Sequence, residues 1–229
     1  EVGVVDDFCF DDSNWAVLHI VVDIGSWLAD RDVLISPAKV ALPDRNNRIL
    51  PISMSSSEVK QAPGVEAEAP VSKQEAINIE QYHVWAPVWS PIGVPIVYGG
   101  IAAAPMVEEE ASKSEQKPNP RLRSEKEVEG YHISAVDGEI GHVEDHIVDT
   151  DDWTIRYLIV DTRNWLPGKN VILSPDWVTQ VDWEQRRISV NLTREQVRNS
   201  PGYDKDAMID REYEEALYDH YGRPTYWES

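Results

Sequence analysis

The sequence predicts a mainly β fold: two small β-barrels, each followed by a short α-helical aromatic tail. Three observations predict it. Residues recur at one fixed offset without a gap, the text between them consists of short β-rich runs broken by turns, and each set of runs leads into a capped segment rich in Trp and Tyr.

The offset is 138 residues, and it relates Trp15 to Trp153, Asp23 to Asp161, Trp27 to Trp165, Ser36-Pro37 to Ser174-Pro175 and Trp89 to Trp227. It also relates Asp44 to Asp182, Val59 to Val197 and Pro63-Gly64 to Pro201-Gly202, while Ile20-Val21-Val22 faces Leu158-Ile159-Val160. A register held so long without insertion reads as a duplication. It divides the chain into a first repeat with its tail over residues 1–89, a Pro/Gly-rich and then charged linker over 90–123, and a second repeat with its tail over 124–229. Glu1 aligns with Glu139, so the opening segment of the second copy has no counterpart in the first. Either residues preceding Glu1 or another segment is expected to fill that place, because a missing strand leaves unpaired edges.

The second copy shows the module best. Val128 to Ile133, followed by Asp137-Gly138, reads as a strand and a tight turn. Ile140 to Asp149 reads as a strand that turns through Thr150-Asp151-Asp152 into Thr154 to Asp161, where Tyr157-Leu158-Ile159-Val160 is aromatic and β-branched. After a loop carrying Pro167-Gly168 come Asn170 to Leu173, a short strand from Trp177 to Asp182, and the alternating run Ile188 to Leu192. Short strands with no long helical period between them point to a small barrel. A helix then starts at Asp210, carries Tyr213, Leu217 and Tyr221 on one face, and ends at Gly222 and Pro224. In the first copy Ser72-Lys73-Gln74-Glu75 reads as a capping box at the matching place. A barrel this small is marginal alone, so the aromatic tail is expected to fold back over its own barrel or across the other copy.

Composition narrows the partners. Lys and Arg number 21 against 41 Asp and Glu, a net charge of −20. Such a surface repels phosphate backbones and anionic headgroups, so direct nucleic-acid binding is not expected and basic protein partners are. The lone cysteine, Cys9, cannot form an internal disulfide, and within Phe8-Cys9-Phe10 it reads as a small buried hydrophobe. One cysteine and no secretory signal suit a reducing cytoplasm. Residues Val84 to Val107 carry no charge and could in length span a bilayer. They hold Pro87, Pro91, Pro95 and Pro105, however, and each interior proline costs a helix about 3 kcal/mol. The stretch reads as an extended linker, with no transmembrane helix expected and peripheral membrane association left open.

The runs Ile140-Gly141-His142-Val143-Glu144-Asp145, Tyr157-Leu158-Ile159-Val160-Asp161 and Val171-Ile172-Leu173-Ser174-Pro175 resemble the PRC-barrel family. Weaker copies stand at Val2 to Asp7, Ile20 to Asp23 and Val33 to Pro37. The family takes its name from the cytoplasmic domain of the photosynthetic reaction centre H subunit and includes the C-terminal domain of a ribosome maturation factor. The segment Asp210 to Trp227 looks like the tail of a bacterial tandem subgroup. The resemblance implies a six-stranded barrel that docks proteins and has no catalytic residues. No counterpart of the H subunit's N-terminal transmembrane helix is expected here, and the ribosome factor differs in pairing its barrel with another fold where this sequence reads as barrel with barrel.

His142 and His146 would share one face of a regular strand about 13 Å apart at 3.3 Å per residue, too far to chelate one ion without a bulge. Asp7 with Asp145, and Asp23 with Asp161, repeat across the copies without a repeated histidine or nucleophile beside them; strand-end aspartates commonly accept hydrogen bonds from turn amides. Ser36 and Ser174 lack a glycine elbow, and no glycine loop cradles phosphate. No catalytic residue, metal site or cofactor is therefore expected. Trp27 and Trp165, matched within a loop, are either tucked onto a barrel end or offered to a partner. The same two readings apply to Trp85, Trp89 and Tyr98 of the uncharged segment and to Tyr226 and Trp227 of the tail.

The expectation is a non-catalytic protein-interaction or adaptor protein of the PRC-barrel class, cytoplasmic or peripheral to a membrane or photosynthetic reaction-centre-like assembly. Its partner is not specified, and intramolecular barrel–barrel pairing or a homodimer is expected. The alternative is an accessory of ribosome maturation or RNA processing that acts through protein contacts.

Overall fold

The structure, a computed structural model, describes residues 1–25, 31–65, 121–163, 165–166, 169–205 and 208–228. Trp27, Trp85, Trp89 and Tyr98, the capping box at Ser72 and residues 90–120 of the linker lie outside the described residues. The chain divides into two compact units, Glu1–Cys9 with Leu18–Leu122, and Phe10–Val17 with Arg123–Ser229.

The second unit carries a six-stranded sheet. Its strands are β6 (His132–Ala135), β7 (Gly138–Asp149), β8 (Thr154–Asp161), β9 (Asn170–Leu173), β10 (Val178–Asp182) and β11 (Arg187–Val190), in the hydrogen-bonded order β10-β11-β6-β7-β8-β9. The β7–β8 hairpin forms where the sequence changes from β-branched residues to aspartates. Asp149 and Asp152 carboxylates accept the Asp151 and Thr154 amides at 2.9 and 3.1 Å and so close the turn. Most neighbours are antiparallel, but β11 runs parallel to β6, pairing Ile188 with Ile133. Ile133, Ile140, Val143, Leu158, Val171 and Ile188 are fully buried and form much of the core.

The first unit contributes to a five-stranded sheet ordered β4-β3-β2-β1-β5, from β1 (Val4–Asp11), β2 (Val17–Asp23), β3 (Asp32–Ile35), β4 (Gly64–Val65) and β5 (Leu122–Ser124). Cys9, Val21, Leu34 and Leu122 form its buried cluster. The pairs Ile20–Ile35, Val21–Leu34, Val22–Val33 and Asp23–Asp32 are matched, 138 residues on, by Leu158–Leu173, Ile159–Ile172, Val160–Val171 and Asp161–Asn170. The isolated bridges Val40–Ile52 and Asp44–Ile49 match the ladder pairs Val178–Val190 and Asp182–Arg187. The left-handed non-glycine residues are also two matched pairs among those described: Trp15 with Trp153, and Arg48 with Arg186.

Neither sheet closes into the expected barrel. In the second unit the outer strands β9 and β10 are not paired with each other. They are joined by a single 3₁₀ turn, Pro175–Trp177, in which Ser174 Oγ accepts the Asp176 amide at 3.3 Å. Proline lacks an N–H and fixes its φ, so the chain turns a corner here instead of continuing the ladder. That turn also delays the strand expected from Trp177, which begins at Val178.

Two helical segments depart from the expected strands and loops. Residues expected to open the second copy as a strand instead include a helical turn, α2 (Glu125–Val128), because Ser124 accepts the Glu127 amide at 3.3 Å and caps it. Beyond β11 lies α3 (Arg194–Asn199), framed by a reciprocal capping box between Thr193 and Gln196. Its counterpart in the first unit is α1 (Ser56–Gln61), capped by Ser55 and Glu58. The last helix, α4 (Arg211–Tyr221), follows the sequence closely: Asp210 accepts the Tyr213 amide at 2.9 Å, and Gly222 ends it at φ 60°. At the edge of β1 stands β5, near Cys9 and Asp12.

Candidate interaction surface

Trp165 sits in the loop between β8 and β9. The loop is a tight turn in which the amides of Trp165 and Leu166 donate to the Thr162 carbonyl at 3.0 and 2.8 Å. The indole N–H donates to the carbonyl of Ile140, which anchors the ring to the start of β7. Arg194 and Arg198, one turn apart on α3, place their guanidinium carbons 4.7 and 5.5 Å from the ring centre. The Arg194 amide donates to Asp137 at 2.8 Å, whereas its buried Nε has no hydrogen-bond partner. Asp137, Arg194, Glu195, Arg198 and Asn199 line a depression beside this cluster. Lys169 lies close by, with Nζ donating to the carbonyls of Arg198, at 2.7 Å, and of Ser200; burial lowers its pKa. The result is a cationic, aromatic surface on a strongly acidic chain.

The repeated carboxylates are engaged locally. Asp161 is buried, accepts the Arg163 amide at 2.9 Å and its Nε at 2.7 Å, and faces His142 Nε2 at 3.6 Å. The hydrogen bond from the Arg163 side chain, helped by its amide, holds the carboxyl below the usual aspartate range. Asp23 accepts the Gly25 amide at 2.7 Å, the same turn contact in the first unit. Asp7 and Asp145 each accept the following amide, of Phe8 at 2.7 Å and of His146 at 2.8 Å. These carboxylates hold turns and bulges in shape.

The two histidines are not on one face. A bulge at Glu144 lets β8 skip a residue, so His142 pairs with Asp161 and His146 with Leu158. Residues directly opposite in an antiparallel ladder share a face, and Asp161 and Leu158 are three positions apart on an unbroken strand. His142 and His146 therefore point to opposite sides, which corrects the expectation for a regular strand. Among the described residues no group of three His, Cys, Asp or Glu side chains could hold a metal ion. His146 lies 6.4 Å from the Phe10 ring, Phe10 stacks on Trp15 at 5.1 Å, and burial lowers the imidazole pKa to about 4.

The C-terminal aromatics pack within the second unit. Buried Glu214 on α4 accepts the phenols of Tyr157 at 2.7 Å and Tyr226 at 3.0 Å, and Arg211 pairs with it at 3.0 Å. Burial pushes the Tyr226 phenol up to about 12 and the Tyr157 phenol further, so both remain donors. Trp227 meets Tyr218 edge to face at 5.4 Å and carries the Arg211 guanidinium 3.9 Å above its ring. Of the seven aromatic residues singled out in the sequence, three are described; Tyr226 and Trp227 lie together and Trp165 stands in a separate cluster. Sequence reasoning missed Arg194 and Arg198, although the box Thr193-x-x-Gln196 marks the helix that carries them.

The sheet order, the parallel β6–β11 pair and the glycine-led start of β7 define the segment from α2 to α3. Residues 126–197 match the PRC-barrel domain family. The PRC-barrel domain thus takes in β6 to β11, Trp165, Arg194 and the repeated-carboxylate position Asp161. Arg198, α4 and the Tyr226-Trp227 tail follow beyond the matched residues. No curated protein matches the chain. No helix among the described residues is long and apolar enough to cross a membrane.

Proposed function

We propose that this chain is a non-catalytic adaptor built from two PRC-type barrel units related by duplication, and that it works by docking other proteins. Support for two equivalent units comes from strand pairs, caps and left-handed residues that recur at the 138-residue offset. The docking reading rests chiefly on the cluster of Trp165, Arg194 and Arg198. Trp and Arg are the side chains enriched where interfaces carry their binding energy, and here they gather on one helix and loop end. The repeated aspartates are occupied with turn amides, which agrees with a structural role. With a net charge of −20, basic protein surfaces are favoured over nucleic acid elsewhere on the molecule. The setting is the cytoplasm or the periphery of a membrane assembly.

Affinity purification from the native host tests this with wild-type protein, Arg198→Glu and Trp165→Ala. One or a few proteins should be recovered in stoichiometric amount with wild type and lost with Arg198→Glu, whose position on an exposed helix face leaves folding intact. Equal recovery with all three proteins, or recovery of none, counts against the reading.

A further inference from the structure

Neighbouring strands of the second unit each place one residue in a single polar row. Arg187 of β11 stands opposite His132 of β6, His132 opposite His142 of β7, His142 opposite Asp161 of β8, and Asp161 opposite Asn170 of β9. Residues directly opposite one another share a face of the sheet, so His132 and His142 project side by side. Both reach solvent, with side chains 55% and 36% exposed.

The hydrogen bonds fix how closely the two strands approach here. The Val143 amide donates to the Tyr131 carbonyl at 2.9 Å and the Gly130 amide to the Val143 carbonyl at 2.8 Å, whereas the His132 amide turns away to the Arg186 carbonyl at 2.9 Å. His132 and His142 are therefore a non-hydrogen-bonded pair. Such pairs bring the Cα atoms to about 4.5 Å, and their side chains lie closer than at the hydrogen-bonded positions. Sequence spacing offered His142 only His146, about 13 Å along a regular strand; the cross-strand register supplies a near neighbour instead.

Each ring also has a carboxylate beside one nitrogen. His132 Nδ1 lies 3.0 Å from Glu139 Oε1, and His142 Nε2 lies 3.6 Å from Asp161 Oδ2. A carboxylate on one nitrogen draws the proton there and leaves the other nitrogen its lone pair, the arrangement that orients imidazoles on a metal ion. His132 Nε2 and His142 Nδ1 are the nitrogens left as donors. The guanidiniums on this face are engaged: Arg163 donates to Asp161 at 2.7 Å, and Arg187 donates to Ser134 Oγ at 2.8 Å.

We propose that His132 and His142 together bind one divalent transition-metal ion of the copper–zinc class, with water in its remaining positions. Neutral imidazole suits these ions, and copper stands highest in the divalent series. With two protein ligands the site is open and exchangeable, and among the described residues no group of three such side chains competes for the ion. A net charge of −20 raises the local concentration of cations. The first unit has Val4 at the position of His142, so one ion binds per chain. This binding does not depend on docking at Trp165.

The test is titration of the full chain with Cu2+ alone, after treatment with a chelator, read by electron paramagnetic resonance. One equivalent should bind with nitrogen coupling from a pair of imidazoles. His132→Ala and His142→Ala should each weaken binding about tenfold or more and reduce the coupling to a single imidazole. Side-chain NMR of the wild-type protein needs no substitution. Cu2+ below one equivalent should broaden the ring signals of His132 and His142 before those of any other histidine. Undiminished binding in both variants, broadening that starts at another histidine, or no binding below about 100 µM Cu2+ overturns the proposal.

Discussion

Trp15 and Trp153 each carry a left-handed backbone, at φ 60° and 56°, and their carbonyls are cross-linked in a reciprocal way. The amide of Ile155 donates to Trp15 at 2.9 Å, and the amide of Val17 donates to Trp153 at 2.7 Å. Between them Ala16 and Thr154 form an antiparallel bridge. Ala16 meets its own match at the 138-residue offset, and the two flanking hydrogen bonds are matches of each other. A side chain at positive φ costs about 1–2 kcal/mol, and here the conformation aims both carbonyls at amides that would otherwise be unsatisfied.

A matched pair of glycines should be intolerant of any side chain. A Cβ on Gly141 would lie 2.0 Å from the Asp161 carbonyl oxygen, at φ 142°, and one on Gly3 would lie 2.2 Å from that of Asp23. Neither obstacle is a flexible side chain. Gly141→Ala is expected to destabilise the second unit by about 3 kcal/mol, through overpacking and backbone strain, with a smaller effect for Gly3→Ala because its φ is not left-handed. Urea denaturation read by tryptophan fluorescence checks the order of the two.

Acid should destabilise the fold partly through His146. Its folded pKa is depressed to about 4 by burial, against 6.5 for the free side chain. Above pH 6.5 both folded and unfolded states hold it neutral, so it contributes no pH dependence. Between pH 6.5 and 4 the unfolded state binds the extra proton, and stability falls with pH at a slope approaching about 1.4 kcal/mol per pH unit for this one group. His146→Phe, which keeps a ring against Phe10, should flatten that window. An unchanged slope in denaturant titrations across it would assign the acid sensitivity to other groups.

Glu214 ties the tail to the sheet. Glu214→Leu removes the acceptor of the buried Tyr157 phenol and of Tyr226, and unpairs Arg211. An unsatisfied buried hydroxyl costs about 1–3 kcal/mol, so the midpoint of thermal unfolding should fall and Trp227 fluorescence should shift to longer wavelength. Tyr157→Phe combined with Glu214→Leu should recover part of the loss, since the orphaned hydroxyl is then gone.

Much of the architecture was legible in the residues themselves. The alternation of Ile188 to Val190, the turn aspartates after Asp149 and the Asp210 and Gly222 caps are local signals, and local signals set local structure. Helix α3 was missed although Thr193 and Gln196 mark its start, because it is too short to show a helical period. The Trp165 cluster was half legible. The tryptophan stood out by its repeat, whereas Arg194 and Arg198 reach it only because α3 lies beside the loop in space.

By itself the sequence determined where most strands and turns of the second copy and the caps of α4 form, and that the same pattern returns 138 residues later, because periodicity and capping depend on neighbours within a few residues. The tertiary structure alone decided that the bulge at Glu144 turns His142 and His146 to opposite faces. It also decided that β9 and β10 stay apart. Each of those outcomes depends on which distant strand pairs with which residue, and a one-residue change of register reverses every side chain beyond it.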